Sequence, residues 1–327
     1  MPFGTEFKMI IKTENNVKKQ RTRSGFRGFW GGKTLGPQQN IGEMFFFGIT
    51  YLVLILFCLS LVYLLVWMLY TSLKDKASFI RNPFSLPETP YWENYVNAFS
   101  KMKVKRVTVD GVFEYGLDTM LFNSLYRSIV GPLITVFTTT CVAYVVSCYK
   151  FKGRNFIYFL GLFVMITPIA GNLPAALRLN KALGFYDNMY LWTLKGFGTP
   201  FGMNFILMYG AFKSLSWSYA EAAQIDGCSH YGVMFKIMLP MMLPTCTVLF
   251  VLSFLTSWND YSTPLIWLPS FPNLAYGMYI FQQNASLYRA TIPEILAGFT
   301  MIAVPTSIVY ALSQKLIVQR LSVGGLK

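Results

Sequence analysis

The chain has 327 residues, of which 54% are hydrophobic and only 13% are charged, whereas about 25% of the residues in soluble domains are charged. This deficit excludes a string of soluble domains and indicates one bundle of membrane helices, with lipid as a partner. The net charge of +14 does not indicate nucleic acid as a partner. The basic residues flank the apolar runs, where they anchor membrane helices on the cytoplasmic side.

The first segment, residues 1–43, is a basic tail that we predict to be cytoplasmic. It contains "GFWGGKT", which resembles a phosphate-binding P-loop. That motif requires a glycine five residues before Gly32, and the residue at that position is Arg27. We therefore expect this chain not to bind ATP through a P-loop. We also expect it to bind no cofactor.

Six charge-free apolar windows follow the tail, most of them near the 20 residues or so that a helix needs to cross a membrane. They predict a transmembrane domain over residues 44–315 and an all-α integral membrane fold with six transmembrane helices. The predicted spans are Met44–Leu73, Ser128–Tyr149, Asn155–Leu177, Gly196–Phe212, Ile237–Asn259 and Ile295–Gln314.

A seventh charge-free window, residues 261–288, is rich in Pro, Asn and Gln. In lipid every freed backbone group must find a partner, so this composition favours a loop or an interfacial helix over a span.

The distribution of basic residues predicts the orientation. With six spans, the tail before residue 44, the turn "YKFKGR" and the C-terminal tail 316–327 lie on one side, and all three are basic. That side is predicted to be cytoplasmic. The outer loop 74–118 also holds basic residues, but long loops translocate with less regard to charge. Asp110-Gly111 in this loop predicts a β-hairpin.

The sequence lacks the residue patterns of a catalytic or metal centre. His230 is the one histidine, and the five cysteines form no C-x-x-C pair, so we interpret them as small hydrophobic residues. Carboxylates inside spans normally mark ion or proton pathways. Here Asp260 and Glu294 lie at predicted span ends, which disfavours an ion-coupled carrier.

The loop 213–240 contains "EAAQIDGCSHYGVMFKIMLP". Ser218 and Glu221 fit a capping box that starts a helix, and Gly227 suits the left-handed turn that ends it. Ser229 is placed to cap a second helix running to Pro240. We predict a cytoplasmic helix-turn-helix. Its small alanines would allow a soluble partner to dock closely; the alternative is an ordinary loop helix capped by Glu221.

This segment resembles the EAA motif of ABC-importer permeases, which reads E-A-A, three residues, Gly, nine residues, Ile, any residue, Leu-Pro. From about Asn94 onward, "NYVNAF", "FNSL", "SWNDYSTPL" and "QRLSVGGLK" resemble the maltose-type, carbohydrate-uptake branch of that family. The positions that match the motif are Glu221, Ala222, Ala223, Gly227, Ile237, Leu239 and Pro240.

The resemblance implies the permease subunit of a sugar or oligosaccharide importer in a bacterial cytoplasmic membrane, with both termini cytoplasmic. Its partners would be a second homologous permease, two ATPase subunits that bind ATP-Mg, and an extracytoplasmic substrate-binding protein. A self-sufficient secondary carrier or membrane receptor not driven by ATP remains the alternative.

The resemblance also assigns roles to residues. The motif residues together with Asp226 would couple the chain to the ATPase: Glu221 would pair with a basic group, Ala222 and Ala223 would permit close packing, and Gly227 would form the turn. Trp258, Asn259 and Asp260 would line the pathway or its outer gate; the alternative is a bilayer-interface tryptophan at a polar span end. The C-terminal residues that would contact the ATPases are Gly324, Gly325, Leu326 and Lys327.

Overall fold

The structure, a computed structural model, describes the backbone of residues 41–108, 111–167 and 172–321, and the side chains from residue 45 to residue 315 within those ranges. The predicted basic tail up to residue 40 lies outside the described residues. So do the four residues predicted to contact the ATPases, Gly324, Gly325, Leu326 and Lys327.

Helices make up most of the described chain, together with an antiparallel hairpin of β1 (Val104–Thr108) and β2 (Gly111–Tyr115). The helices in chain order are α1 (Ile41–Ser72), α2 (Lys76–Arg81), α3 (Glu93–Lys101), α4 (Leu117–Cys148), α5 (Arg154–Ile166), α6 (Leu173–Ala182), α7 (Met189–Leu194), α8 (Met203–Ser214), α9 (Ser218–Ile225), α10 (His230–Trp258), α11 (Ser262–Ile266), α12 (Leu274–Gln283) and α13 (Ile292–Leu321).

Among the described residues, four helices are long and apolar enough to cross a membrane: α1, α4, α10 and α13. They correspond to the first, second, fifth and sixth predicted spans, and they confirm a mostly helical membrane protein. The helix α13 continues to Leu321, past the predicted end of the transmembrane domain at residue 315.

The third and fourth predicted spans are not continuous helices. The third is divided between α5, which ends at Ile166, and α6. Pro168 follows Thr167, whose extended backbone is the conformation favoured before proline. The fourth consists of a 3-10 turn (Lys195–Gly198), an irregular stretch with Gly202 at φ +125°, and α8. At 1.5 Å per residue, α8 with its 12 residues is about 18 Å long, short of the 30 Å or so of hydrocarbon.

The second span begins well before the predicted Ser128. Gly116 is the N-cap of α4, and Asp118 lies in the first turn, where a carboxylate complements the helix dipole. This earlier start places Arg127 inside a membrane-length helix, whereas the charge-free window had excluded it.

Two hydrophobic clusters form the core. The first packs the C-terminal half of α4 against α8, α9 and the first half of α10, and includes Tyr144, Phe205 and Met208. The second packs the start of α4 against α3, α12, α13 and the end of α10, and includes Met120 and Phe281. The helices α4 and α10 contribute to both clusters and so connect them.

The hairpin predicted in the outer loop is confirmed, with Val104 opposite Tyr115 and Thr108 opposite Gly111. Gly111 is therefore a strand residue, and the connection is formed by residues 109–110, which the structure does not describe. The window 261–288 contains α11 and α12, which have five and ten residues and are too short to span. The window therefore holds no continuous helix of membrane length, which agrees with the prediction of a loop or an interfacial helix over a span.

Candidate functional site

The helix α9 begins at the predicted residue, but without the predicted capping box. Trp217 is the N-cap and makes no side-chain cap bond, and Ser218 is already helical. The Ser218 hydroxyl hydrogen-bonds instead to Ser216 Oγ at 2.7 Å, and Ser216 Oγ also accepts from the Ser218 N–H at 3.3 Å. Glu221 is therefore not engaged in capping.

The end of α9 is a Schellman motif. The Gly227 N–H donates to the Gln224 carbonyl at 3.0 Å, and the Cys228 N–H donates to the Ala223 carbonyl at 2.9 Å. Gly227 has φ +82°, the left-handed conformation that the motif requires. The predicted turn at Asp226-Gly227 is confirmed.

The second half of the helix-turn-helix is the start of α10. Ser229 caps it as predicted, because its hydroxyl accepts from the Gly232 N–H at 3.2 Å. The segment Val233–Met238 is π-helical and leads without a break into the long apolar helix. Pro240 lacks the N–H that would bond to the Lys236 carbonyl, which removes one α-helical bond at this point.

One face of α9 lies in the core and the other is open. Ala223 is 6% exposed and belongs to the first cluster, so it packs mainly against its own chain. Large apolar side chains that are exposed here are Tyr219, Ile225 and, from α10, Tyr231, of which Ile225 is 85% exposed. An open groove beside them brings together most of the predicted coupling residues: it is lined by Ser218, Tyr219, Ala222, Ala223, Asp226, Gly227, Cys228 and Ile237.

Glu221 faces a second groove. It is exposed and makes no ion pair with any residue that the structure describes. Lys150, Arg154 and Lys213 line the same groove, so the surroundings of this carboxylate are basic. Leu239 and Pro240 lie further along α10 and line neither groove.

Aromatic and polar contacts connect this surface to the long helices. The Tyr149 hydroxyl, just after α4, lies 3.3 Å from His230 Nδ1 at the start of α10. It also lies 3.2 Å from the Tyr144 hydroxyl. The Tyr149 ring packs edge-on against Trp217 at the start of α9. These contacts were not expected, because sequence spacing gives no signal for them.

The three predicted pathway residues lie in different environments. Trp258 is 1% exposed, belongs to the second cluster, and donates from Nε1 to the Ile302 carbonyl at 3.3 Å. This places Trp258 in the protein core. Asn259 is exposed, and its Nδ2 donates to the Leu255 carbonyl of its own helix.

Asp260 joins two elements. Its Oδ2 accepts from Arg127 Nη2 at 3.0 Å, and its Oδ1 accepts from the N–H groups of Ser262 and Thr263 at the start of α11. Burial raises the pKa of the Asp260 carboxyl, but hydrogen bonds from Thr263 and Ser262 outweigh that effect and leave the pKa below its ordinary value. Asp260 is therefore ionised at neutral pH.

A polar cavity of about 290 Å³ adjoins this ion pair. Its walls come from α4, from α7 with the following 3-10 turn and loop, and from α10. Lys195 Nζ lies 4.5 Å from the centre of the Trp192 ring and donates to Asn180 Oδ1 at 3.1 Å. This cavity was not predictable from the sequence, because the residues that line it are far apart along the chain, and the predicted span excluded Arg127. The lining residues are Arg127, Gly131, Pro132, Thr135, Trp192, Thr193, Lys195, Gly196, Thr199, Ser253 and Ser257.

The helices of membrane length define a multi-pass membrane protein, and two of them, α4 and α10, form walls of the polar cavity. The model of one family, described as "Binding-protein-dependent transport system inner membrane component", matches residues 140–323. The chain belongs to this family and is a membrane permease component of an ABC import system. This confirms the family that the EAA motif indicates.

The chain is similar to other permeases over most of its length. It is 28% identical over 275 residues to "Probable ABC transporter permease protein YurM" of Bacillus subtilis (strain 168), covering 84% of this chain and 86% of that protein. It is 29% identical over 271 residues to "Arabinooligosaccharides transport system permease protein AraQ" of Halalkalibacterium halodurans, covering 81% and 91%.

A solved structure shows the same fold. It is the crystal structure of a bacterial ABC transporter involved in the import of the acidic polysaccharide alginate, and one of its chains matches with a TM-score of 0.67. The match has 22% sequence identity and covers 86% of this chain and 99% of that chain.

Proposed function

We propose that this chain forms the pathway of an ATP-driven sugar or oligosaccharide importer together with a second, homologous permease. Two ATPase subunits would bind ATP-Mg and drive the cycle, and an extracytoplasmic binding protein would deliver the substrate. This chain itself would bind no cofactor and catalyse no reaction. The observation that carries the proposal is the helix-turn-helix at 218–240, which combines the EAA spacing with an exposed apolar face.

The docking surface for the ATPase is formed by Tyr219, Ile225 and Tyr231. Exposed large apolar groups at the centre of a contact provide most of its binding energy when a partner covers them. Glu221 and Ala222 are exposed on the same helix. In this proposal the Glu221 carboxylate pairs with a basic group of the ATPase, while Gly227 keeps the turn compact.

Motion of α9 would reach the spans through the contacts described above. Ala220 and Ala223 fix α9 to the first cluster, and Tyr149 joins it to the ends of α4 and α10. A displacement of α9 would therefore move α4 and α10 together. Both helices also form walls of the polar cavity, which gives a physical route from ATP hydrolysis to the pathway.

The proposed topology has six crossings. The helices α5 and α6 would form one interrupted crossing, and α7, the 3-10 turn and α8 would form another. Interrupted helices are tolerated at membrane depth where they line a cavity, and Lys195 and Gly196 of the 3-10 turn do so. Both termini would then lie on the cytoplasmic side of the bacterial membrane, where residues 324–327 would reach the ATPases.

The sugar class of the substrate is supported by the cavity and by the relatives. The cavity presents threonine and serine hydroxyls together with the Trp192 indole, which suit the hydroxyls and the apolar face of a sugar ring. The AraQ relative is named for the transport of arabinooligosaccharides.

Purification of the tagged chain from its own membrane in mild detergent tests the proposal. We expect a second permease and an ATPase to co-purify in stoichiometric amounts, and we expect the complex to hydrolyse ATP. A clean homomer that accumulates substrate on an ion gradient alone would contradict it and would support a secondary carrier.

A further inference from the structure

The polar cavity contains a buried cationic donor that is not satisfied. Arg127 is 7% exposed, and its Nη2 donates to Asp260 Oδ2. Its Nη1 is shielded from solvent, yet it has no hydrogen-bond partner within the part of the chain that the structure describes. Buried guanidinium donors are normally paired, because leaving one unpaired is costly. Arg127 also lines the cavity, so the unsatisfied Nη1 belongs to a side chain of the cavity wall.

The charge on the cavity wall selects the kind of group. Of the residues that line it, Arg127 and Lys195 are basic and none is acidic. Asp260 offsets the charge of Arg127, but the partners of Lys195 are a neutral amide and the ring of Trp192. The lining therefore carries a net positive charge, and two cationic donors on different walls favour an anion between them.

The shape of the cavity favours an anion attached to a small ring. Its volume of about 290 Å³ is near the lower end of the range for small-molecule sites, about 300–1,000 Å³. A Cβ added at Gly131 would meet no atom within 4 Å, so this glycine leaves open space at the wall. Hydroxyls from Thr135, Ser253 and Ser257 complete a surface that suits a polyhydroxylated ring.

We infer that this cavity binds the acidic group of an anionic saccharide, with Arg127 Nη1 and Lys195 Nζ as the donors. The substrate class of the importer is then a sugar or oligosaccharide that carries carboxylates. The inference rests on the proposed import function and narrows its substrate. Arg127 has two roles: Nη2 holds Asp260, and Nη1 recognises the substrate.

Binding to the purified full-length chain in detergent tests the inference with two defined probes. The probes are trigalacturonate and the neutral α-1,4-linked galactotriose, followed by tryptophan fluorescence. Trp192 lines the cavity, so loss of the fluorescence change in Trp192→Phe would assign that change to binding in the cavity. We expect trigalacturonate to bind at least about ten-fold more tightly than galactotriose, with an affinity that falls as salt is added.

Two variants connect binding to the cavity without touching the Arg127 ion pair. Lys195→Met removes one charge, and Gly131→Leu fills open space. Each should weaken trigalacturonate binding by about ten-fold or more. Gly210→Leu is the matched control, because Gly210 is also helical with open space at its Cβ but does not line the cavity. It should bind as the unchanged protein does.

The possible failures are distinct. Equal binding of galactotriose, no binding of either probe, or unchanged affinity in both Lys195→Met and Gly131→Leu would overturn the inference. An affinity for sodium sulfate equal to that for trigalacturonate would also overturn it, since the site would then recognise an anion alone. In each of these cases, co-purification of the ATPase would still support the proposed import function. Absence of the ATPase from the purified protein would contradict that function itself.

Discussion

Arg127 Nη2 lies 3.0 Å from Asp260 Oδ2 and so joins α4 to the segment that follows α10. The Arg127 side chain is 8% exposed and that of Asp260 is 21% exposed. This contact holds together the two helices that participate in both hydrophobic clusters, at the edge of the polar cavity.

Removing one partner of this pair should destabilise the protein. Asp260→Asn leaves the Arg127 charge uncompensated, and we expect a loss of about 2–4 kcal/mol, somewhat below a fully buried pair because Asp260 is partly exposed. Thermal unfolding of the detergent-solubilised chain measures the loss. Arg127→Met combined with Asp260→Asn should recover most of the lost stability. A double variant as unstable as Asp260→Asn alone would show that the unpaired Arg127 charge does not cause the loss.

The Asp260 carboxylate, held mainly by hydrogen bonds from Thr263 and Ser262, predicts an acid dependence. The folded pKa of Asp260 is below its ordinary value, so its contribution to stability is present above the unfolded pKa of about 3.9 and is lost as the pH falls through the folded pKa. The unchanged chain should therefore lose stability in that range faster than Asp260→Asn does. The melting temperatures of both proteins are measured from pH 3 to pH 7. If they fall with the same slope below about pH 4, Asp260 is not the group that causes the loss of stability in acid.

The left-handed turn at Gly227 makes a prediction about coupling. A side chain at φ +82° costs about 1–2 kcal/mol, so Gly227→Ala should weaken the Schellman turn and lower substrate-stimulated ATP hydrolysis by the purified complex. Gly210→Ala lies in an ordinary helix and is the control. Equal hydrolysis in the two variants would remove the turn from the coupling path.

The exposed apolar face of the helix-turn-helix predicts where the ATPase binds. Ile225 is 85% exposed, so Ile225→Asp should not affect folding but should reduce the amount of ATPase that co-purifies by about ten-fold. Leu287→Asp is the matched control, because Leu287 is 77% exposed in the connection between α12 and α13, outside the helix-turn-helix. Similar ATPase recovery from the two variants would place the docking surface elsewhere.

The local structure of the coupling loop was largely predictable, because its signals are short-range. Gly227 and Ser229 are read from residue type and spacing, and both act as predicted. The capping box failed because Ser216 lies two residues upstream of Ser218 and takes its hydroxyl. A competing local hydrogen bond of this kind changes a cap without changing where the helix begins.

The membrane part was less predictable, because a charge-free window measures composition and not continuity. Two windows of suitable composition are not continuous helices: α5 ends at Ile166 within one, and Gly202 at φ +125° precedes α8 in the other. The second predicted span began only at Ser128, because Arg127 is charged. The helix itself begins after its N-cap Gly116, with Asp118 in its first turn. The residues that line the cavity are far apart in sequence, so no spacing pattern brings Arg127 and Lys195 together.

The most direct test of the account is ATP-driven uptake in proteoliposomes that contain the whole complex and its binding protein. We expect Glu221→Lys to abolish most of the uptake while the chain still inserts and the binding protein still docks. We also expect that an ATPase unable to hydrolyse ATP supports no accumulation. Substrate accumulation at the normal rate with Glu221→Lys, or with the inactive ATPase, would contradict the claim that the ATPase drives transport through α9.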